Sequence, residues 1–355
     1  MDRATIDIYE QRAAEWEAKR PPSFGARARA FSQRCLPGLP RVDLGCGPGG
    51  YLPMLGSPVV GLDATAAMLR LARGASAGAL LVQAELERLP FARGCLGGAW
   101  ARASYLHLTR NALPAALAQL HAALALDAPV ELTVLAGQGE GPRPDGDFPG
   151  RFFALWQAQP LADVVTGAGF ELEAVSKLRE WLIATARRAR TLPDFVGPGM
   201  RVLVCGLNPS VISADAGFGF ATGSNRFWVA AASAGLVGPD RVRRPLAVLA
   251  ADRVGMTDMV KRATPRSRLL AVAEYRAGAE RVGRLVRWLR PRLILFVGLE
   301  GYRAAIDRKA LPGVQPSPFH GVSAYVMPST SGLNARTPMA ELVSHMQAAL
   351  AAATG

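Results

Sequence analysis

The sequence predicts an α/β protein of two domains, each built on an open, mostly parallel sheet. Three observations carry that expectation. Short apolar runs alternate with helix-like stretches along the whole chain. Two of those runs end abruptly in glycine- or proline-broken loops, Leu44 into Gly45 and Cys205 into Gly206. A Pro/Gly-rich stretch, Arg190 to Met200, separates two segments each long enough to bury a core. The expected division is 1–190 for the first domain, 191–200 for a linker and 201–355 for the second domain.

In the first domain, Arg41 to Leu44 reads as a strand running into Gly45-Cys46-Gly47-Pro48-Gly49-Gly50. Val59 to Asp63 is the next strand, Ala66 to Ala72 a helix, Leu80 to Glu85 a third strand and Ala99 to Arg102 a fourth. Val130 to Leu135 and a late pair around Phe170–Glu173 and Trp181–Thr185 complete the sheet, with Gly139 to Asp147 as a loop inside it. A Gly-x-Gly-x-Gly loop straight after a strand lets backbone amides approach a ligand, and Asp63 ends the second strand where a carboxylate can accept two ribose hydroxyls. These residues alone leave a dinucleotide site open as well.

In the second domain, Val202 to Cys205 reads as a buried strand. Gly206 is expected to let the backbone turn sharply, and Pro209 to stop the strand, so that Asn208 is presented at its carboxyl end. A later strand, Ala324 to Met327, ends in Pro328-Ser329-Thr330-Ser331-Gly332-Leu333-Asn334. One loop offers an amide and the other an exposed leucine among small residues, a pairing suited to opening a duplex and working on one base.

The 355 residues carry a formal charge of +13, unevenly spread: residues 1–190 hold 21 basic and 18 acidic side chains, residues 191–355 hold 20 and 10. Excess arginine on one domain is the footprint of a phosphate-backbone binder. An Arg-favouring genome is the alternative, but it would make both halves basic. The most apolar region, Ala112 to Ala128, is broken by Pro114, Gln119 and His121 and is too short to span a bilayer. A cytoplasmic protein, on the nucleoid when engaged with DNA, is therefore expected. Of the four cysteines, Cys35, Cys46 and Cys95 lie in the first domain and Cys205 in the second. That distribution gives no four-cysteine iron–sulfur site, so reduced, unligated thiols and no metal are expected.

Asp43-Leu44-Gly45-Cys46-Gly47-Pro48-Gly49, with Gly61-Leu62-Asp63 and Leu89-Pro90-Phe91, resembles the class I S-adenosylmethionine-dependent methyltransferases. The resemblance implies a Rossmann-like domain whose loop, Asp43 with Gly45, Gly47 and Gly49, wraps the methionine part of the cofactor. Asp63 would hold the ribose and Glu85 would sit near the adenine. Glu85 is longer than the family's usual Asp, and the run Leu96-Gly97-Gly98-Ala99-Trp100 lacks the fourth strand's common acid. Neither an Asn/Asp-Pro-Pro-Tyr motif nor a Pro-Cys nucleophile is present, so the methyl acceptor stays open, as does a scaffold that has lost transfer.

Gly206-Leu207-Asn208-Pro209, Asn225-Arg226-Phe227-Trp228, Gly255 to Pro265 and Met327 to Asn334 are together similar to the mismatch-specific uracil-DNA and thymine-DNA glycosylases. That resemblance implies a three-layer α/β/α domain with a short, mostly parallel sheet. It implies excision of uracil, and of thymine or damaged pyrimidines, from double-stranded DNA with G·U or G·T mismatches, without a cofactor. Asn208 would position the attacking water, slowly relative to relatives with an Asp there. Leu207, Ser213, Phe220, Asn225 and Asp258 would line the base pocket, Phe220 stacking on the base. Leu333 would wedge into the emptied stack between Gly332 and Asn334, whose main chain could read the widowed guanine.

Plainer readings stand beside these. Asn208 could be a turn-former, Asn225 a helix cap and Asp258 a solvated loop acid; Phe220 could be core, although Phe218 is the more core-like of the two. Arg281, Arg284 and Arg287 read as a solvated face, and His320 as a surface residue. At the level of the whole chain, a small-molecule or RNA methyltransferase with a non-catalytic nucleic-acid-binding domain, and a repair scaffold with a ligand-sensing domain, are the alternatives.

Overall fold

The computed structural model describes residues 1–354 and divides into two compact units, Met1–Thr166 with Phe170–Ala189, and Gly167–Gly169 with the residues from Arg190 onward. Among the described residues no helix is long and apolar enough to cross a membrane.

The first unit opens with three helices that the sequence did not announce, Arg3–Gln11, Ala13–Lys19 and Gly25–Arg34. Nine strands follow: β1 (Arg41–Leu44), β2 (Val59–Asp63), β3 (Leu80–Gln83), β4 (Gly98–Arg102), β5 (Pro129–Ala136), β6 (Glu140–Pro142), β7 (Phe152–Trp156), β8 (Phe170–Leu178) and β9 (Trp181–Arg188). β3, β2, β1, β4 and β5 pair in that order, all parallel. β9 then lies antiparallel along β5 and takes β8 on its far side. β7 joins β5 only at Leu135 and Ala136, and β6 pairs with β7 as a short hairpin. Strand order reverses between β1 and β4, so the loop after β1 opens at the switch point where open sheets hold ligands. The third strand stops at Gln83, which leaves Glu85 beyond the sheet.

The second unit has five strands: β10 (Val202–Gly206), β11 (Val254–Asp258), β12 (Leu293–Val297), β13 (Gly313–Val314) and β14 (Ser323–Met327). The order is β11-β10-β12-β14-β13, with only the two-residue β13 antiparallel. Leu203, Cys205, Ile294, Phe296, Ala324 and Val326 pack on one face against Tyr275, Val282 and Val286 of the helix Val272–Leu289. The alternate positions Val202, Val204, Leu293, Leu295, Tyr325 and Met327 are buried as well, and the helix Met339–Ala352 packs on β12 and β14. A sheet covered on both faces explains why its strands are continuous apolar runs rather than alternating ones.

The stretch 191–200, expected to be a linker, is folded into this second unit. Leu192, Asp194, Phe195 and Val196 are buried, and Phe195 bridges to Met256 of β11. Leu192, Phe195, Val196 and Met200 are its buried apolar residues and anchor it despite its prolines and glycines.

Candidate functional site

Two strand-end regions collect polar side chains, one in each unit. In the first unit, Gly45, Gly47 and Gly49 all adopt positive φ (72°, 54° and 83°), a loop that L-residues with side chains rarely follow. Asp63 closes it: one carboxylate oxygen accepts from Gly47 N at 2.9 Å, the other from Thr65 N and Oγ1 at 2.9 and 2.8 Å. Asp43 lies beneath, fully buried, with Oδ2 in no hydrogen bond. Burial, reinforced by the Asp63 charge, pushes the Asp43 carboxyl up to about 8. An orphaned acid oxygen under an amide-lined glycine loop suits a ligand that brings hydrogen-bond donors and positive charge, as a sulfonium amino acid does. The residues present fit S-adenosylmethionine. Glu85, by contrast, is exposed and ion-paired with the Met1 ammonium at 3.1 Å.

In the second unit, the ends of β10 and β11 stay zipped beyond the sheet. Met259 N donates to Gly206 O and Val260 N to Leu207 O, each at 2.9 Å; Thr264 N donates to Pro209 O at 3.1 Å. Gly206 lies opposite Asp258 and keeps a negative φ, so it makes no sharp turn, contrary to expectation. What demands glycine is close approach: a Cβ there would meet Asp258 Oδ1 at 2.6 Å and the Phe220 ring at 3.6 Å.

Asn208 follows directly. Its Nδ2 donates to Thr264 Oγ1 at 2.8 Å, Arg262 O at 3.0 Å and Pro209 O at 3.1 Å. Two of those acceptors are carbonyls, so only the NH₂ end can face them. Thr264 Oγ1 spends its own proton on Arg266 O at 3.0 Å, which leaves it a pure acceptor toward Asn208. Asn208 Oδ1 is thereby turned away, an acceptor with no partner among the described residues. The side chain does more than shape its own turn, because besides Pro209 O it bridges to a second loop at Arg262 and Thr264. Thr264 escaped the sequence reading, although it lies inside the Gly255–Pro265 block.

Phe220 sits at φ 59°, a conformation that is strained for a bulky residue. Two contacts hold it there. Ala221 N donates to Ser213 Oγ at 3.2 Å, and the Phe220 ring stacks on the buried Phe227 at 4.0 Å with 16° between planes. One face of Phe220 is thus filled, and the residue remains half-buried. Phe218, expected to be core, is half-buried too and touches Trp228 only edge-on at 6.4 Å. Ser213 is fully engaged as the bolt behind Phe220, with Ser210 Oγ at 3.0 Å as its other partner. Asn225 Oδ1 accepts from Phe227 N, the first residue of the helix Phe227–Ser233, and from Thr330 Oγ1, both at 3.0 Å; Arg226, between Asn225 and Phe227, is the N-cap residue, and the Asn225 NH₂ is the end left for a ligand.

Asp258 ends β11 half-buried, with no hydrogen bond to either carboxylate oxygen. Burial pushes its carboxyl up to about 6, Lys261 and Arg281 pulling down and Asp194 pushing further up. Asp194 itself is 3% exposed and accepts from Arg281 Nη1 at 2.6 Å, Thr257 Oγ1 at 2.7 Å and Lys261 Nζ at 2.9 Å. Arg281 also donates to Asp258 O at 2.8 Å. So Arg281 is buried in an ionic cluster beneath the site, not on a solvated face as expected. His320 is exposed and contacts Arg287 at 2.8 Å.

Leu207 does not line this site with its side chain. It packs against Gly298 and Gly301 and joins the sheet core. On the last loop Leu333 is 93% exposed, and Gly332 lies so close to Ser224 that a Cβ would meet its Oγ at 2.7 Å. Asn334 is tied up: Nδ2 donates to Ser329 O and Thr337 Oγ1, N to Ser331 O, and its carbonyl accepts from Arg226 Nη2 at 2.7 Å. Its main-chain N–H is spent, so only its carbonyl's second lone pair and the Gly332 main chain remain for reading a base. Arg226 is the unanticipated clamp of that loop, reaching Thr337 O at 2.6 Å as well.

Residues 193–353 match the family model for the uracil DNA glycosylase superfamily, and residues 42–127 match one for a methyltransferase domain. The chain joins a domain of each family. Among solved structures, the methyltransferase half is similar to a SAM-dependent methyltransferase from Methanosarcina mazei (15% identity, 45% of this chain and 97% of that one, TM-score 0.41). It is similar also to an S-adenosylmethionine dependent methyltransferase from Mesorhizobium loti (21%, 47% and 98%, 0.41) and to the CcbJ methyltransferase from Streptomyces caelestis (17%, 53% and 100%, 0.44). Strand order, not these partial overlaps, establishes the fold of the methyltransferase domain. Among the described residues, no group of three or more His, Cys, Asp or Glu is placed to hold a metal in either domain.

Proposed function

We propose that the glycosylase-superfamily domain excises uracil, and thymine or damaged pyrimidines more slowly, from mismatches with guanine in double-stranded DNA. The observation that carries this reading is the Asn208 amide: its nitrogen is held by three acceptors, which leaves its oxygen open, two positions after Gly206, the residue that lies against Asp258 and Phe220. A flipped pyrimidine stacks on the free face of Phe220. The Asn225 NH₂ donates to a ring carbonyl, and ionised Asp258 accepts the N3 proton of uracil or thymine. Asn208 Oδ1 accepts a hydrogen bond from water and aims its lone pair at the sugar C1′. As the C1′–N1 bond breaks, its electron pair leaves on the base; the water oxygen bonds to C1′, its surplus proton passes to solvent, and the departing base anion is protonated from solvent. The product is an abasic site on an intact strand. Lys261, the lysine nearest the site, is held by Asp194, which supports hydrolysis rather than a Schiff base. Leu333 fills the gap left by the base. The methyltransferase domain binds S-adenosylmethionine through Gly45, Gly47, Gly49 and Asp63; when bound, that group supplies a methyl on an activated sulfonium, and the domain's work is to position an acceptor.

Alkali cleavage after incubation with G·U, G·T, A·U and single-stranded uracil substrates tests the excision reading. Breaks at G·U above A·U support it; no break with any substrate overturns it.

The charge on Asp258 gives the reaction an acid limb. The carboxylate accepts the N3 proton only when ionised, so kcat/KM on G·U is expected to fall as pH drops through about 6. Asp258→Asn should lower the neutral-pH rate and flatten that limb, as read from single-turnover rates across pH. An unchanged limb in the variant would remove Asp258 from the reading.

Arg226→Ala strips charge-assisted bonds from Asn334 O and Thr337 O. Loosening the loop that carries Leu333 should reduce excision from duplex G·U roughly tenfold while sparing single-stranded uracil. Equal losses on both substrates would mean that Arg226 supports the pocket instead.

A further inference from the structure

Within the methyltransferase domain one buried cation has no anion. Arg151 is 8% exposed and forms no ion pair with any carboxylate among the described residues. Nε donates to Phe148 O at 3.0 Å and Nη1 to Tyr9 OH at 2.8 Å; Nη2 has no acceptor among the described residues. Its guanidinium carbon lies 5.0 to 5.5 Å from the ring centroids of Phe153, Trp16, Phe148 and Tyr9. Ring faces offset part of the desolvation of a cation, but a buried charge without a counter-ion is ordinarily a place where one arrives.

The surroundings fix where this is. Tyr9 lies on the first helix, whose next residue, Glu10, accepts from Ala67 N at the start of the helix after β2. Tyr9 also feels the charge of Asp63. His107 follows β4, and Arg151 immediately precedes β7 and donates to Tyr9 OH. All three therefore stand at the same carboxyl edge of the sheet as the glycine loop. His107 Nδ1 faces Phe152 O at 2.7 Å and must carry the proton, so Nε2 accepts from Tyr9 OH at 2.9 Å. Burial pushes the imidazole down to about 4, with Phe152 O and Arg151 as lesser influences, so it adds no second cation and is a poor base. The Tyr9 proton is committed to His107. Arg151 is therefore the buried cation of the cluster that keeps unspent donors among the described residues.

We propose that Arg151 is the anchor for a carboxylate-bearing methyl acceptor, a flat monoanionic acid held against half-buried Tyr9, Trp16 and Phe153. A planar guanidinium edge matches a carboxylate in two parallel hydrogen bonds, and a single unpaired cation balances a monoanion. A phosphate dianion would call for a second buried cation; Arg12 and Arg20 are already paired with Glu15 and Asp147, and Arg143, 5.1 Å from the Phe153 ring, is exposed. This inference rests on the reading that the domain binds S-adenosylmethionine.

The test is calorimetric titration of the full chain, saturated with S-adenosylhomocysteine, with benzoate and with its neutral analogue benzamide. Benzoate should bind at least about tenfold more tightly than benzamide, and Arg151→Met should remove the difference, since a charged hydrogen-bonded pair is worth roughly that ratio or more. Arg151→Lys should keep part of it. Unchanged S-adenosylhomocysteine affinity in each variant shows that the domain remains folded. Equal binding of benzoate and benzamide, or undiminished benzoate binding by Arg151→Met, overturns the proposal. Failure of the wild-type chain to bind S-adenosylhomocysteine would instead remove the cofactor reading, and the acceptor site with it.

Discussion

Replacing Asn208 with alanine is expected to lower single-turnover excision of uracil from G·U by a factor of about 100 or more, on the scale of losing one pre-aligned polar group at a reacting centre. Binding of the mismatched duplex should survive, because Phe220, Asn225 and Leu333 are untouched. The size of the loss follows from how the amide is held. Three acceptors fix Nδ2, so Oδ1 can receive water without searching among rotamers. The same logic makes Thr264→Val informative: it keeps the shape but removes the acceptor at 2.8 Å, and the amide is left with two carbonyls. Its rate should lie between those of wild type and Asn208→Ala. An Asn208→Ala protein that excises at the wild-type rate would show that the amide merely shapes the turn. An Asp at this position would be a poor substitute here despite its greater basicity, since a carboxylate would face the carbonyls of Pro209 and Arg262.

What could be read from the residues alone was whatever is local along the chain. A strand followed by Gly-x-Gly-x-Gly, or by Gly-Leu-Asn-Pro, carries its meaning within a few positions, and Asp63, Asn208 and exposed Leu333 stand where such patterns put them. Contacts between distant segments left no such trace. Gly206 looked like a turn because its partner, Asp258, is supplied by the neighbouring strand. Asp194 sat in a Pro/Gly-rich stretch that resembled a linker, while its cations come from Lys261 and Arg281. Arg281, Arg284 and Arg287 looked like one face, yet steps of three residues drift backward around a helix of 3.6 per turn. That drift puts Arg281 among the buried positions Gly278, Val282 and Gly283. Arg226 was noticed only as part of a motif; the carbonyls it gathers lie more than a hundred residues away.

Removing the carboxylate of Asp194 should be the most destabilising single change in the glycosylase-superfamily domain. Asp194 and Arg281 are both buried, and Lys261 is nearly so. Burial alone would raise the Asp194 carboxyl, but Arg281, Lys261 and the Thr257 hydroxyl hold it below the usual range. Asp194→Asn leaves two cations in the interior with no anion between them, a loss of about 3–5 kcal/mol for a broken buried pair. For a domain of this size that corresponds to a drop in Tm on the order of 10 °C, measurable by calorimetry on the full chain. Arg281→Met should cost less, because Lys261 still neutralises Asp194 and the methionine stem keeps contact with the core. The pH dependence has a definite sign. A carboxyl whose folded pKa lies below its unfolded value contributes its full stability above the unfolded value, near 4, and loses it as pH falls through the folded one. Wild type should therefore lose stability in acid faster than Asp194→Asn, and the two melting curves should converge at low pH. If Asp194→Asn melts within about 2 °C of wild type at neutral pH, the cluster contributes little net stability. Its cations would then serve mainly to set the charge of Asp258 above them.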